Sequence, residues 1–237
     1  MNFYSAIAAH YDAIFPFNPK QLSFIKTHAP SSEHKRLIEV GSARGVLTHA
    51  CAKEGYQVRG LELDETMVAM AQIQYSDIPF YASNMLDLKY LFSMHSCDVM
   101  VCFGNTLVHL SRTESMLRFL KAAFITLEEK GKLLIQFINY DRIIDQNINA
   151  LPTISNEDIT FVRDYELVSD TRLLFNASLT VHADKKTTQN TQALYPLRKS
   201  AFEDLAQEAG FKCKAFGGFD GRTWSEDAMQ SIFVCTK

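Results

Sequence analysis

The first 140 residues alternate between short apolar runs and segments whose apolar residues recur at helical spacing. The run at 98–103, DVMVCF, has no polar side chain after its first residue, which is typical of a strand buried in a parallel sheet. Leu117, Leu120 and Phe124 then recur at helical spacing and predict a helix. Repeated strand–helix–strand units of this kind predict a parallel sheet with helices on both faces. The other strands of this part are predicted at 35–40, 57–63, 78–82 and 132–138.

The pattern changes after residue 139. Apolar residues then occupy alternate positions, as at Ile159, Phe161 and Tyr165, and the run at 175–181 alternates again. A polar strand at 187–195 follows, so this part predicts an antiparallel meander. Helical spacing returns near residue 200, and the chain ends with strands predicted at 212–216 and 230–235.

We therefore predict an α/β fold, with a doubly wound, seven-stranded, mostly parallel sheet and an antiparallel β insertion after strand five. Residues 1–139 and 199–237 are predicted to form the domain that contains this sheet. Residues 140–198 are predicted to form a cap inserted over one edge of it. Ligand selectivity in such folds commonly resides in additions of this kind, because the same sheet supports many functions.

Composition narrows the function classes. The 24 basic and 27 acidic residues are interspersed without a lysine or arginine run, so we expect no nucleic-acid partner. No apolar stretch approaches the roughly 18 residues of a membrane span. The N-terminus lacks the basic segment of a signal peptide, so we expect a cytoplasmic protein without membrane contact. The five cysteines form no CxxC pair, and we expect reduced thiols and no metal site.

A glycine loop follows the first predicted strand. Residues 39–45 read EVGSARG, so the glycines have the spacing GxAxG and not the GxGxxG of nicotinamide-binding loops. Glu62 ends the second predicted strand about 20 residues later, where a carboxylate commonly binds the ribose of a nucleotide. These features favour an adenosine cofactor. A strand-to-helix turn without a ligand, and a solvated Glu62, are the structural alternatives.

The loop resembles motif I of the class I S-adenosylmethionine-dependent methyltransferases, (D/E)xGxGxG, with Ala43 in place of the middle glycine. The segments at 60–67 and 80–88 are similar to the next two cofactor segments of that family, and YDAIF at 11–15 resembles its lid element. The resemblance implies a Rossmann-like methyltransferase fold and S-adenosylmethionine as cofactor. The implied cofactor-binding residues are Tyr11, Glu39, Gly41, Ser42, Ala43, Gly45, Glu62, Leu63, Met67, Asn84, Met85, Leu86, Phe103, Gly104 and Asn105.

Three further segments are similar to the glycine N-methyltransferase-like branch of the family. They are FGNTLVHL at 103–110, NYD at 139–141 and LYPLR at 194–198. This similarity implies methyl transfer to a small-molecule acceptor, most simply an amine. O-methylation of a hydroxylated or carboxylic acceptor, and a protein that binds the cofactor without catalysis, stay open. We expect a monomer or a homodimer.

Two residues are candidates for catalysis. His109 follows strand four and is the candidate general base, while Tyr140 is a candidate for orienting the acceptor. Both are also compatible with ordinary packing. The candidate substrate-binding residues are Tyr4, Asn139, Tyr195 and Arg198, where the guanidinium of Arg198 has the geometry to bind a substrate carboxylate.

Overall fold

The computed structural model describes residues 3–32 and 34–237, and leaves the side chain of Phe3 undescribed. Its strands are β1 (Arg36–Val40), β2 (Gln57–Glu62), β3 (Phe80–Ala82), β4 (Cys97–Cys102), β5 (Leu127–Ile138), β6 (Ala150–Ser155), β7 (Ile159–Ser169), β8 (Arg172–Val181), β9 (Lys186–Leu194), β10 (Lys212–Phe216) and β11 (Gln230–Thr236).

The helices begin near the N-terminus and then alternate with the strands. They are α1 (Phe3–Ile7), α2 (Tyr11–Ile14), α3 (Pro19–His28), α4 (Val46–Lys53), α5 (Glu65–Gln74), α6 (Leu88–Leu91), α7 (Thr113–Thr126), α8 (Tyr140–Asp145) and α9 (Lys199–Glu208). Short 3₁₀ turns cover Ala8–His10, Met85–Asp87 and Leu107–His109. None of the helices in the described part of the chain combines the length and apolarity needed to cross a membrane.

The larger sheet confirms the predicted fold class. Within the described residues, seven strands lie in the order β10-β11-β5-β4-β1-β2-β3. The strands from β3 to β5 run parallel, and β11 pairs antiparallel with both β5 and β10. The chain moves outward from β1 through β2 to β3, then returns to the other side of β1 with β4. This reversal opens a crevice at the carboxyl ends of the strands, where ligands bind in open α/β sheets.

Both faces of the sheet are covered. Along β4, Met100 and Cys102 pack into one apolar cluster, whereas Val99 and Val101 pack into the other. All four side chains are essentially inaccessible to solvent. The uninterrupted apolar run at this strand is therefore a direct consequence of helices packing on both sides.

The insertion forms a separate antiparallel sheet in the order β6-β7-β8-β9. Its inner face packs against the N-terminal helices, where Ile7 and Ile14 contact a cluster that includes Ile159, Phe161 and Leu179. The sequence patterns predicted three of these strands but neither β6 nor α8. Strand β6 is mostly exposed at the sheet edge, so its residues show no apolar alternation.

The sequence-based expectation of reduced thiols is wrong for one pair. Cys213 and Cys235 are direct partners in the antiparallel register of β10 and β11, and a disulfide joins them. The prediction failed because the two residues are 22 positions apart in sequence and become neighbours only through strand pairing. Cys51, Cys97 and Cys102 are buried free thiols.

Candidate functional site

Two adjoining cavities lie at the carboxyl ends of the parallel strands. The smaller one, of about 230 Å³, reaches the ends of β2 and β3, and the larger one, of about 440 Å³, extends beneath the inserted sheet. Residues lining both cavities come from the N-terminal segment and from the loops after β1 and β4. They are Tyr4, Tyr11, Gly41, Ala43, Gly104 and His109.

The loop after β1 turns tightly, and several of its residues have positive φ angles. Gly41 has φ +76°, and a Cβ there would lie 2.3 Å from Oγ1 of Thr106. Gly45 has φ +78°, and a Cβ there would meet the ring of Phe80 at 2.4 Å. Glycine is required at both positions by conformation and by space. Ala43, the departure from the family motif, also adopts a positive φ of 46°.

Glu62 is positioned by backbone amides before any ligand is considered. Its Oε2 accepts from Ala43 N at 2.9 Å, and its Oε1 accepts from Leu63 N at 2.8 Å and Asp64 N at 3.0 Å. The carboxylate therefore joins the loop after β1 to the end of β2. A carboxylate offers about four acceptor positions, so Oε2 retains capacity for a hydroxyl in the smaller cavity.

The walls of the smaller cavity are largely apolar. Met67, Met85 and Leu63 line it together with Asn84. The Oδ1 atom of Asn84 accepts from Leu86 N at 2.9 Å and caps the 3₁₀ turn that follows. Leu86 itself does not line either cavity within the described residues. A flat aromatic base with an exocyclic amine matches this combination of apolar walls and the Asn84 amide.

The larger cavity has a buried acid at its base. Glu39 lies at the end of β1 and accepts a hydrogen bond from the hydroxyl of Thr48. Burial raises the pKa of Glu39 to about 8, and this outweighs the opposing effect of the Thr48 bond. Beside it, Ser42 is buried and its Oγ has no hydrogen-bond partner in the described chain. A ligand that carries an ammonium group and a hydrogen-bonding group would satisfy both.

The loop after β4 also has a left-handed course, with φ +71° at Gly104 and +69° at Asn105. Gly104 N donates to Oε1 of Gln136 at 2.8 Å, and Asn105 Oδ1 accepts from Ile138 N at 3.1 Å. A Cβ at Gly104 would meet no protein atom within 4 Å. The loop thus leaves open space where the two cavities meet, and Phe103 contributes to the wall of the larger one.

His109 lies at the junction of the cavities. Its Nε2 and the hydroxyl of Tyr4 are 2.9 Å apart, and the two rings meet edge to face. Burial lowers the pKa of His109 to about 4 and raises that of Tyr4. Both side chains are therefore uncharged at neutral pH, and they present a polar but neutral surface to the cavities.

Four predicted catalytic or substrate-binding residues do not line either cavity, and neither do Gly45 and Leu86 of the predicted cofactor set. Tyr140 is fully buried and its hydroxyl bonds to Asn105, with Asn105 Nδ2 donating at 3.0 Å. Asn139 caps α8 and donates to three carbonyls of residues 225–228. Tyr195 pairs through its backbone with Val108. Packing and capping explain the places of these residues in the fold, and their roles toward a ligand stay predictions.

Arg198 has partners of its own and does not face a cavity. Its guanidinium donates to Asp145 at 2.8 and 3.1 Å and to Asp141 at 3.3 Å. These carboxylates raise its pKa further and tie the start of α9 to α8. Sequence alone did not indicate this because α8, which carries both aspartates, was not predicted. The contact of Arg198 with a substrate carboxylate stays a prediction, and in the described structure Asp141 and Asp145 bind the guanidinium.

The N-terminal segment covers both cavities and is anchored at several points. Asp12 pairs with Arg44 at 3.0 Å, and Ser5 Oγ donates to Asp64 at 2.5 Å. Between these anchors Tyr11 lines both cavities, and burial raises its pKa. Phe15 packs edge to face on Phe161 of the inserted sheet. The segment thus connects the cofactor loops to the insertion.

Sequence reasoning predicted that the insertion covers the site, but it missed the individual residues that the inserted sheet contributes to the larger cavity. Its inner face supplies aromatic and apolar walls together with one cation, and β5 and β11 add two amides. The residues are Leu151, Phe161, Arg163, Tyr165, Phe175, Gln136 and Gln230. The sequence could have indicated Arg163, because it occupies an inward position in the alternating run that starts at Ile159.

Comparison with known proteins agrees with this geometry. Residues 37–131 match a family model described as a methyltransferase domain. The matched segment contains the glycine loop, Glu62 and His109. A protein of Geobacillus sp. (strain WCH70) assigned to the methyltransferases is 30% identical over 65% of this chain. The glycine/sarcosine/dimethylglycine N-methyltransferase of Actinopolyspora halophila is 29% identical over 55% of the chain. The matches span 61% and 22% of those two proteins. Other relatives are ubiquinone biosynthesis O-methyltransferases.

Solved structures show the same fold at low identity. An S-adenosylmethionine-dependent methyltransferase from Clostridium acetobutylicum superposes with a TM-score of 0.83 at 12% identity, over 99% of both chains. The amino pentose methyltransferase CalS10 of Micromonospora echinaspora was solved with S-adenosylmethionine bound. It gives a TM-score of 0.72 at 18% identity, over 100% of this chain and 98% of that one.

The residues that line the two cavities are chemically compatible with S-adenosylmethionine. Oε2 of Glu62 retains acceptor capacity that suits a ribose hydroxyl, and the apolar walls of the smaller cavity suit an adenine ring. In the larger cavity, Glu39 and the unpaired Ser42 hydroxyl suit the amino-acid end of the cofactor. The open space at Gly104 lies where the cavities meet, which is where the sulfonium would have to be.

Proposed function

We propose that this methyltransferase transfers a methyl group from S-adenosylmethionine to the amine nitrogen of a small-molecule acceptor. The observation that carries the proposal is the position of His109, which lines both cavities and is kept uncharged by burial. The acceptor would occupy the part of the larger cavity beneath the inserted sheet.

The bound cofactor would supply a methyl group that is already electrophilic. The protein then has to align the acceptor atom with that methyl group and exclude water, and such alignment alone can lower a barrier by roughly 7–11 kcal/mol. Tyr4, Tyr11 and the aromatic face of the insertion enclose the junction for this purpose.

The protonation state of His109 favours nitrogen over oxygen. A histidine whose pKa is about 4 is a weak base and is poorly suited to remove a proton from an alcohol. An amine needs no such step once it is uncharged, because its lone pair is already available. Burial favours the uncharged form of an amine, and the Tyr4–His109 pair offers it a neutral hydrogen-bonding surface.

O-methylation is the second candidate, because the relatives include O-methyltransferases. N-methylation and O-methylation can be distinguished with pairs of acceptors that differ only in the nucleophilic atom. Suitable pairs are glycine with glycolate, and ethylamine with ethanol. Transfer from methyl-labelled S-adenosylmethionine would be followed by mass spectrometry of the products.

We expect methylated amines from the purified protein. The Glu62→Ala variant, which lacks the predicted ribose contact, serves as the control for cofactor-dependent transfer. Methylation of the hydroxyl member of each pair instead of the amine would overturn the proposal. Tight cofactor binding without transfer to an extended panel of amines and alcohols would indicate a non-catalytic binding protein.

A further inference from the structure

We propose that Arg163 binds an oxyanionic group of the acceptor, a carboxylate or a phosphate, inside the larger cavity. This inference rests on the proposed function, since it concerns the acceptor of the same reaction. It assigns the selectivity for charge to the inserted sheet and not to Arg198, whose guanidinium already has carboxylate partners.

The position of Arg163 in β7 is unusual for a cation. Ile159, Phe161 and Tyr165 occupy the inward positions on either side of it, and all three are buried. Arg163 therefore stands in a row of apolar residues that faces the cavity. Its cross-strand neighbour on β8 is Ala177, a small residue that leaves space above the inner face.

The guanidinium of Arg163 is held by a hydrogen bond, but no carboxylate of the described chain neutralises its charge. Nη2 donates to the carbonyl of Pro152 at 2.6 Å, and the group lies 5.9 Å from the centre of the Phe161 ring. Nε is buried and has no hydrogen-bond partner in the described chain. The ion pairs formed among the described residues do not include Arg163. Burial of a charge without a counterion is costly, and a ligand oxyanion would remove this cost.

The other charged groups of the cavity do not compete for this role. Arg44 also lines it, but Arg44 is paired with Asp12 at 3.0 Å. Glu39 also lines the cavity, but a carboxyl group supplies no positive charge to an oxyanion. His109 is uncharged at neutral pH. Arg163 is therefore the cation available to an acceptor anion among the described lining residues, and its planar donors match a carboxylate or phosphate.

The test uses pairs of probes that differ by one anionic group. Protein saturated with S-adenosylhomocysteine would be titrated with glycine and methylamine, and with 2-aminoethyl phosphate and ethylamine. We expect the anionic member of at least one pair to bind about tenfold or more tightly, the scale for a hydrogen bond to a charged group. The pair with the larger ratio distinguishes a carboxylate acceptor from a phosphorylated one.

Arg163→Met should remove this preference, and Arg163→Lys should restore part of it, because lysine keeps the charge without the planar donors. Arg172→Met, at an exposed position of the same sheet, is the matched control and should bind the probes like wild type. Equal binding of both members by wild type, or a preference that survives Arg163→Met, would overturn the inference. The comparison of the two probes of a pair uses wild-type protein, so it does not depend on whether a variant folds.

The two proposals fail in different ways. If wild-type protein does not bind S-adenosylhomocysteine, the proposed function is wrong. If it binds S-adenosylhomocysteine and methylates amines without regard to a neighbouring anion, the inference about Arg163 alone is wrong.

Discussion

Replacement of Glu62 by glutamine tests the link between the glycine loop and the cofactor. The carboxylate accepts from three backbone amides, two at Oε1 and one at Oε2. A glutamine amide has one oxygen and one NH₂ group, so it cannot accept at both ends. If its oxygen takes the place of Oε1, the NH₂ group meets the N–H of Ala43. In the other orientation, it meets the amides of Leu63 and Asp64.

At least one amide is therefore left without an acceptor in the Glu62→Gln variant. An unsatisfied buried donor costs about 1–3 kcal/mol, and we expect the free energy of unfolding to fall by that amount. Loss of the charged hydrogen bond to the ribose should weaken cofactor binding by about 1.5–3 kcal/mol. This corresponds to roughly 10- to 150-fold in the dissociation constant.

Calorimetry with S-adenosylhomocysteine would give the affinity, and urea unfolding would give the stability. Glu65→Gln is the matched control, because Glu65 is exposed at the start of α5 and lines neither cavity. The reasoning is refuted if Glu62→Gln binds S-adenosylhomocysteine as tightly as the control does. A loss of stability with unchanged affinity would show that Glu62 shapes the loop without contacting the ribose.

Three other variants probe the remaining parts of the site. Gly104→Ala should lower stability by roughly 1–2 kcal/mol, measured in urea, because alanine is strained at φ +71°; unchanged stability would contradict the described backbone. Glu39→Gln should flatten the pH dependence of unfolding. In the wild type the raised pKa of Glu39 stabilises the ligand-free protein fully below pH 4.5, and this contribution is lost as pH rises through about 8. A variant with the wild-type pH profile would exclude Glu39 as its source. Tyr4→Phe should reduce kcat roughly tenfold through loss of the bond to His109, with near-normal affinity for S-adenosylhomocysteine; an unchanged kcat would remove this pair from the mechanism.

The fold was predictable because its signals are local. Apolar runs such as DVMVCF at 98–103 and the glycine spacing around Gly41 reflect the strand and the turn in which they lie. They do not depend on contacts with residues distant in sequence. The predicted cofactor segments also fall at strand ends, and a parallel sheet brings strand ends to one edge. Order along the chain was therefore sufficient to place most of them around two cavities.

The acceptor side was less predictable because its contacts are distant in sequence. The partners of Arg198 lie 53 and 57 positions earlier, on a six-residue helix too short to show a clear apolar period. Tyr140 follows the carboxyl end of β5, where ligand-binding residues are expected, yet its side chain is buried in the core. Arg163 was overlooked because a single charge in an alternating strand also fits an irregular or exposed position.

The N-terminal segment has a kinetic consequence. Tyr4 and Tyr11 line both cavities, and their helices pack on the inserted sheet through Ile7 and Ile14. If the proposed cofactor and acceptor occupy the two cavities, one segment covers both of them, and its displacement would expose both together. Departure of the spent nucleoside and of the methylated product then depends on a common movement, and in enzymes with such covers this movement often limits turnover. The steady-state rate would in that case equal the rate at which the N-terminal segment opens, and it would not measure the rate of the chemical step.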